Sequence, residues 1–247
     1  MRYLETKNIN KSFDGKAVIE DISIHVNEGE LVCLLGVSGC GKTTLFNVVS
    51  GLTQPDGDGR VFLRGEDITK NPGQISYMLQ KDLLLPYYTV IDNVCLPLII
   101  KQNMKKKDAR KKAQELFSVF GLEGTEKLYP AELSGGMRQR AALLRTYLSS
   151  EGMVLLDEPF SALDTITKSS VHTWYLDIME KIKLSTLFVT HDIDEAILLS
   201  DRIYIMSGKP GRITKEIVIS EKKPRNKDFA LSVEFLEYKK MIINELV

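Results

Sequence analysis

Gly36-Val37-Ser38-Gly39-Cys40-Gly41-Lys42-Thr43 is the stretch from which the rest of the chain is read. It fits G-x-x-x-x-G-K-[ST], the form of a phosphate-binding loop. The apolar run Leu31-Val32-Cys33-Leu34-Leu35 before it has the pattern of a buried parallel strand. Thr44-Leu45-Phe46-Asn47-Val48-Val49 after it reads as the first turns of a helix. Strand, glycine loop and helix form the context this motif needs. Glycines let successive backbone N–H groups turn inward as an anion nest, and the helix N-terminus adds its positive end. Lys42 can reach the β- and γ-phosphates of a nucleotide, and the Thr43 hydroxyl can ligate Mg²⁺. A plain glycine-rich turn is the competing reading, and the flanking strand and helix argue against it. The chain is expected to bind a nucleoside triphosphate.

At 247 residues the chain can bury one large core, or a core with a smaller lobe. Its 43% hydrophobic and 27% charged content is that of a soluble globular protein. A formal net charge of +0 argues against a general nucleic-acid binder, which carries basic excess. The three cysteines, Cys33, Cys40 and Cys95, show no paired metal spacing. With Cys33 in the expected core strand and Cys40 in the loop, a reducing cytoplasm is the expected compartment. Cys40 is read as a small residue that fits the loop. Residues 1–7 lack an apolar signal region. No apolar run approaches the ~20 residues needed to span a bilayer, so a membrane role is expected to act through partners.

Strands are expected over residues 3–13 and 17–27, joined by the turn signal Asp14-Gly15. Ile22, Ile24 and Val26 alternate with Ser23 and His25, the pattern of a half-buried antiparallel strand. His25 is read as a strand-face residue. Pro55-Asp56-Gly57-Asp58-Gly59 marks a turn, and strands are expected at 61–63 and 75–79, the second closed by Gln80. The proline-interrupted apolar segment 82–90 suits a loop. From about 91 to 150 the pattern is helical. The basic stretch Lys101 to Lys112 is read as a solvated face. Asp108 is a candidate N-cap for a helix burying Ala109, Ala113, Leu116, Phe117 and Phe120 and ending at Gly121. Ser134 is a second N-cap candidate. Strands at 153–158, 184–190, 202–206 and 212–219 alternate with helices at 165–182 and 192–199, which implies a parallel sheet. An amphipathic helix is expected to end the chain near 245.

Leu155-Leu156-Asp157-Glu158 carries acids at the C-terminal end of a buried strand, where open α/β sheets bind ligands. Asp157 can hold the Mg²⁺ of a bound nucleotide, directly or through water, and Glu158 can act as general base for a hydrolytic water. A capping pair for the next helix is the structural alternative. Leu133-Ser134-Gly135-Gly136-Met137-Arg138-Gln139-Arg140 is a glycine-started helix with a serine cap. Alone it supports only anion affinity at a helix N-terminus.

Its form, and its place between the phosphate loop and the acidic strand, resemble the ATPase subunits of ATP-binding cassette transporters. The resemblance runs over essentially residues 2–219. It includes Gln80, residues 133–137, the acidic strand at 153–158, Ser161-Ala162-Leu163-Asp164 and His191. It implies a P-loop α/β core with a mostly parallel sheet, an antiparallel β-subdomain and a helical subdomain at about 82–150. The single ATPase domain would span 1–220, followed by a tail at 221–247. It implies that Phe13 stacks on adenine and that residues Gly36 to Thr44 hold the phosphates. Gln80 would contact Mg²⁺ and the attacking water, and His191 the γ-phosphate. Ser134, Gly135 and Gly136 would meet the γ-phosphate held by a second subunit, with Asp164 crossing that interface. The surface near Leu83–Tyr88 would dock a membrane-spanning subunit.

A finer likeness points to the nitrate, sulfonate and taurine importer branch. It rests on Leu84-Leu85-Pro86, residues 157–164 and Gly208-Lys209-Pro210-Gly211-Arg212-Ile213. Tyr87 and Ser161 depart from that branch, which more often has tryptophan and glycine there. The resemblance implies ATP and Mg²⁺ as cofactors, a homodimer, permease partners, a solute-binding protein acting indirectly, no nucleic acid, and a peripheral position on the cytoplasmic face of the membrane. An exporter subunit, a non-transport cassette ATPase and an isolated P-loop kinase are the competing readings. A kinase would not need residues 133–137.

Overall fold

In the computed structural model the residues described are 1–161, 165–223, 225 and 227–246, without the side chains of 165–170, 180 and 227. The chain opens with strands β1 (Arg2–Lys7), β2 (Ile9–Phe13), β3 (Lys16–Ile22) and β4 (His25–Asn27). Strand β5 (Leu31–Gly36) then leads through the phosphate loop into helix α1 (Lys42–Val49). Strands β6 (Arg60–Leu63), β7 (Glu66–Asp67) and β8 (Ser76–Met78) precede helices α2 (Val90–Ile100), α3 (Lys106–Gln114) and α4 (Gly135–Ser149). Next come β9 (Met153–Asp157), α5 (Thr165–Ile182), β10 (Ser185–Thr190), α6 (Ile193–Leu199), β11 (Arg202–Ser207) and β12 (Arg212–Val218). Helices α7 (Lys227–Ala230) and α8 (Val233–Leu246) end the chain.

The main sheet has the order β12-β11-β5-β10-β9-β8. Its neighbours run parallel except β11 with β12. Every residue of β5, β9 and β10 is buried, as near-continuous apolar runs covered on both faces require. Leu35 pairs with Thr190, and Val189 with Asp157. This register ends the three central strands at one edge, where the phosphate loop, the acidic pair and His191 all emerge. A second, antiparallel sheet has the order β4-β1-β6-β7, and β2 and β3 form a hairpin.

Two cores flank the main sheet. One lies between the sheet and the helical layer and contains Val94, Leu98, Phe117, Phe120, Ala141, Leu144, Leu156 and Phe188. The other joins the sheet to α1 and the antiparallel strands through Leu4, Ile22, Val26, Leu34, Phe46, Val61 and Leu187. The fold is therefore the P-loop α/β core with an antiparallel β part and a helical part that the sequence implied. Tail helix α8 packs on α6 and β11, burying Phe235 and Ile242. Among the described residues no helix is long and apolar enough to cross a membrane.

The two long N-terminal strands differ from expectation. Each is broken, at Asn8 (φ 48°) and at Ser23–Ile24, because the first half of one and the second half of the other serve the antiparallel sheet, while the remaining halves pair with each other. Ile22, Ile24 and Val26 still point inward. Asp14 and Gly15 both have positive φ (50° and 74°), the two-residue hairpin turn their dipeptide predicts. Asp108 does not cap α3: Lys105 is the N-cap, and Asp108 lies in the first turn, where a carboxylate still meets the positive helix end. Helix α3 stops at Gln114, and Phe117 and Phe120 reach the core from turns. Ser134 caps α4 as expected, its hydroxyl accepting from the Met137 N–H at 3.3 Å. The basic stretch is less free than expected, since Arg110 and Lys106 both pair with Asp92.

Candidate functional site

A cavity of about 600 Å³ opens at the carboxyl edge of the central strands. It is lined by Val18, Ser38, Gly39, Gly41, Lys42, Thr43, Thr44, Gln80, Asp157, Glu158, Val189 and His191. Residues as far apart in the chain as Val18 and His191 thus share one space, because parallel strands in register deliver their C-termini together. A larger cleft, about 950 Å³, lies at the opposite edge beside Leu31, Leu184 and Asp201, where those strands begin. Open α/β sheets hold ligands at the carboxyl edge, so the smaller cavity is the candidate site.

The loop geometry comes from close packing. Gly41 has φ 104°, a conformation open to glycine, and a Cβ there would strike Ile19. A Cβ on Gly36 would strike the Met206 carbonyl, so the glycines let the loop lie against β3 and β11. Gly211 also abuts the loop: a methyl there would overlap the Cys40 carbonyl oxygen. Helix α1 begins at Lys42 after Gly41, which has no side chain to cap the first N–H groups. Lys42 is buried, its Nζ donating to the carbonyls of Gly36 (2.8 Å) and Val37 (2.9 Å). Its charge thus sits at the loop mouth. Cys40 is buried and free, consistent with its reading as a residue that fits the loop.

Opposite the loop, Asp157 ends β9 and is buried; the Tyr77 hydroxyl donates to its Oδ2 at 3.0 Å. Burial raises the Asp157 carboxyl above the usual carboxylate range, Glu158 adds to the rise, and the Tyr77 hydrogen bond opposes it. Glu158 has a left-handed backbone (φ 46°), held by its N–H donating to Val189 O at 3.0 Å. Ser161 Oγ donates to the Glu158 carbonyl at 3.0 Å. The Glu158 carboxylate is bracketed: Gln80 Nε2 donates to Oε2 at 3.0 Å, and His191 Nδ1 lies 3.3 Å from Oε1. A carboxylate between an amide and an imidazole, across a cavity from a lysine, has the chemistry to orient a water against a phosphoryl group.

Phe13 is exposed at the end of β2, with Lys11 Nζ 5.5 Å from its ring centroid. The hairpin partner of its strand supplies Val18 to the cavity wall. Ser134 is exposed and Gly136 buried at the start of α4, and no described residue lining the cavity comes from α4. Asp164 lies outside the described residues. His25 meets Tyr204, its Nδ1 3.1 Å from the hydroxyl. His172 lies 2.9 Å from Glu195, away from the cavity. The site residues that sequence reasoning missed are Tyr77, Gly211 and, beside the site, Asn93 and Arg145. A tyrosine within an apolar strand and an asparagine within an apolar helix were the available signals.

A family model described as "ABC transporter" matches residues 19–161, a span that contains both the phosphate loop and the acidic strand. The chain belongs to this family of ABC ATPases. Among curated relatives it is 51% identical over 193 residues to a formylaminopyrimidine import ATP-binding protein, ThiZ, of Halalkalibacterium halodurans, covering 78% of this chain and 74% of that protein. It is 44% identical over 210 residues to an aliphatic sulfonates import ATP-binding protein, SsuB, of Bacillus anthracis, covering 85% of this chain and 82% of that one. Among solved structures it is similar to the dimeric, post-hydrolysis ATP-binding cassette MJ0796 bound to ADP and Pi. That match has a TM-score of 0.75 and 28% identity, over 89% of this chain and 100% of that one. As an ATP-binding subunit of the ABC family, the chain is an ATPase.

Proposed function

We propose that this ABC ATPase powers an importer, working as a pair of identical subunits on permease subunits at the cytoplasmic face of the membrane. The import reading rests on the relatives named as import ATP-binding proteins. Aliphatic sulfonates and formylaminopyrimidine are the solutes named among them, so a small organic solute handed over by a solute-binding protein is the proposed cargo. The permease would dock on the segment after Gln80. There Leu83, Leu85, Tyr87 and Tyr88 are exposed, while Asn93 and Arg145 fasten the backbone beneath them.

Within the site, Lys42 and the N–H groups of Gly36 to Thr44 neutralise the β- and γ-phosphates of ATP, and Phe13 stacks on the base. Glu158 accepts a proton from the attacking water, with Gln80 and His191 holding its carboxylate and the γ-phosphate side of the cavity. The oxygen donors Thr43 and Asp157 fit Mg²⁺, a hard cation that takes one or two protein ligands and completes its shell with water and phosphate oxygens. Among the described residues no cluster of His, Cys, Asp and Glu could hold a metal unaided, which suits a cation arriving with its nucleotide. When bound, Mg²⁺ offsets charge on the phosphate oxygens.

The observation that carries the paired arrangement is the separation of Ser134 from the cavity lined by Lys42, Asp157 and Glu158. A transferring phosphoryl group needs charge stabilisation on several sides, and one copy supplies it from one side. The N-terminus of α4 from a second copy, with Ser134, Gly135 and Gly136, closes the other, and Asp164 crosses the interface. The test mixes Lys42→Ala with Ser134→Arg protein, each inactive alone. Mixed pairs hold one intact composite site, so ATPase activity, or at least ATP-driven pairing, returns. If the wild-type chain stays monomeric with ATP and hydrolyses at a specific rate independent of its concentration, the shared site is wrong. For import, the tagged chain purified from solubilised membranes should bring permease subunits encoded beside a solute-binding protein.

A further inference from the structure

Tyr77 stands in β8 opposite Leu155, two residues before the acidic end of β9. Its side chain touches both halves of the site. The ring packs edge-on against Phe46 of α1, centroids 5.7 Å apart at 75°, on the helix that begins with Lys42. The hydroxyl donates to Asp157 Oδ2 at 3.0 Å. Three residues further along the chain, just past the end of β8, Gln80 donates to Glu158. Packing alone does not explain a tyrosine here, since an apolar ring would fill the same space against Phe46. A phenol, with an ordinary pKa near ~10, is protonated at neutral pH, so its hydroxyl is the donor that a carboxylate acceptor needs.

We propose that Tyr77 is a positioning residue: its hydroxyl fixes the rotation of the Asp157 carboxylate, so that this acid meets the nucleotide's divalent cation in one orientation. The inference rests on the reading of Asp157 as an oxygen donor to Mg²⁺. A terminal carboxylate torsion has a broad, soft profile, and without an anchor the group samples orientations that a cation with strict octahedral demands cannot use. Hydrogen bonds that orient metal-ligating groups are worth about 10–100-fold in metal affinity. The strand geometry gives this anchor a second consequence. Gln80 follows β8 by two residues, so a displacement of β8 by a partner bound beyond Gln80 would move the donor away from Asp157 and loosen the metal subsite together with the Gln80–Glu158 contact.

The test uses the full chain with Tyr77→Phe, which keeps the ring against Phe46 and removes only the hydroxyl. Affinity for a fluorescent ATP analogue is measured with Mg²⁺ and, separately, with EDTA, and the ratio of the two is the readout. The expected result is metal-free affinity within about twofold of wild type and a Mg²⁺-dependent gain reduced about tenfold. The Mg²⁺ concentration for half-maximal ATPase should rise by a similar factor. Tyr77→Leu, which also removes the ring, should weaken both affinities. Equal loss with and without Mg²⁺ in Tyr77→Phe would make the residue merely structural and overturn the proposal, as would an unchanged ratio. A wild-type chain that binds the analogue equally with Mg²⁺ and EDTA would instead sink the metal reading of Asp157 itself, and this proposal with it.

Discussion

Asn93 offers a test of how the fold presents the segment after Gln80. Its side chain is fully buried on α2. Oδ1 accepts from the Leu85 N–H at 2.6 Å, and Nδ2 donates to the carbonyls of Leu85, Tyr88 and Thr89, each at 3.1 Å. Two amide hydrogens therefore serve three carbonyls, and one side chain satisfies the buried backbone of the loop. Asn93→Asp has nearly the same shape and keeps the acceptor, yet its protonated carboxyl has one donor hydrogen where the amide has two. At about 1 kcal/mol per net hydrogen bond, that loss costs about 1 kcal/mol. The new carboxyl also faces carbonyl oxygens at full burial, which raises the pKa of an acid by up to about 3–5 units. Each unit above the unfolded value near ~3.9 adds about 1.4 kcal/mol at neutral pH.

The sign follows from linkage. An acid whose folded pKa is raised is unpenalised below its unfolded pKa, and its penalty grows as pH rises toward the folded value. With a rise of about three units, the stability deficit of Asn93→Asp should therefore be about 1 kcal/mol near pH 4 and about 5 kcal/mol near pH 8. Urea denaturation of variant and wild type at matched pH values measures it. Binding to the permease should fall with the deficit, while ATP affinity of the isolated subunit stays close to wild type. A deficit below about 1 kcal/mol that does not change with pH would refute the reasoning.

Glu158→Gln keeps the hydrogen-bonding shape beside Gln80 and His191 but removes the proposed base. Turnover should fall about 10²–10⁴-fold with ATP binding retained, and an ATP-bound dimer should accumulate in light scattering; near-normal turnover would remove Glu158 from the role. Gly211→Ala sets a methyl against the Cys40 carbonyl, so the phosphate loop or the 208–212 loop must move. Stability should drop by about 1–3 kcal/mol and ATP affinity should weaken, whereas exposed Lys209→Ala changes neither in calorimetry and nucleotide titration. Asp56 is held at a pKa of about 2 by hydrogen bonds from Lys11 and Ser12 at the foot of the β2–β3 hairpin. A depressed carboxylate stabilises above its unfolded pKa near ~3.9 and loses this as pH falls toward the folded value. Asp56→Asn should thus cost under about 1 kcal/mol near pH 7, since the site is solvent-screened, and nothing near pH 2; thermal melts across that range read the difference.

Much of the site was legible in the sequence because its chemistry is concentrated in short, local patterns. A phosphate loop needs glycines, a lysine and a hydroxyl within one strand–turn–helix, so residues 36–43 declare it without any tertiary contact. Asp157-Glu158 at the end of an apolar run, and Ser134 ahead of two glycines, are equally local. The buried strands β5, β9 and β10 show as apolar runs for the same reason. Contacts between distant segments were not legible. Nothing in the sequence says that Tyr77 reaches Asp157, because that depends on β8 pairing with β9 in one register. That Gly211 must lack a side chain follows only from its approach to Cys40. The twin breaks at Asn8 and Ser23–Ile24 arise because those chains divide themselves between two sheets, a choice made by packing rather than by alternation. The sequence determined which groups can do chemistry; the parallel register and the closeness of the layers decided which of them meet.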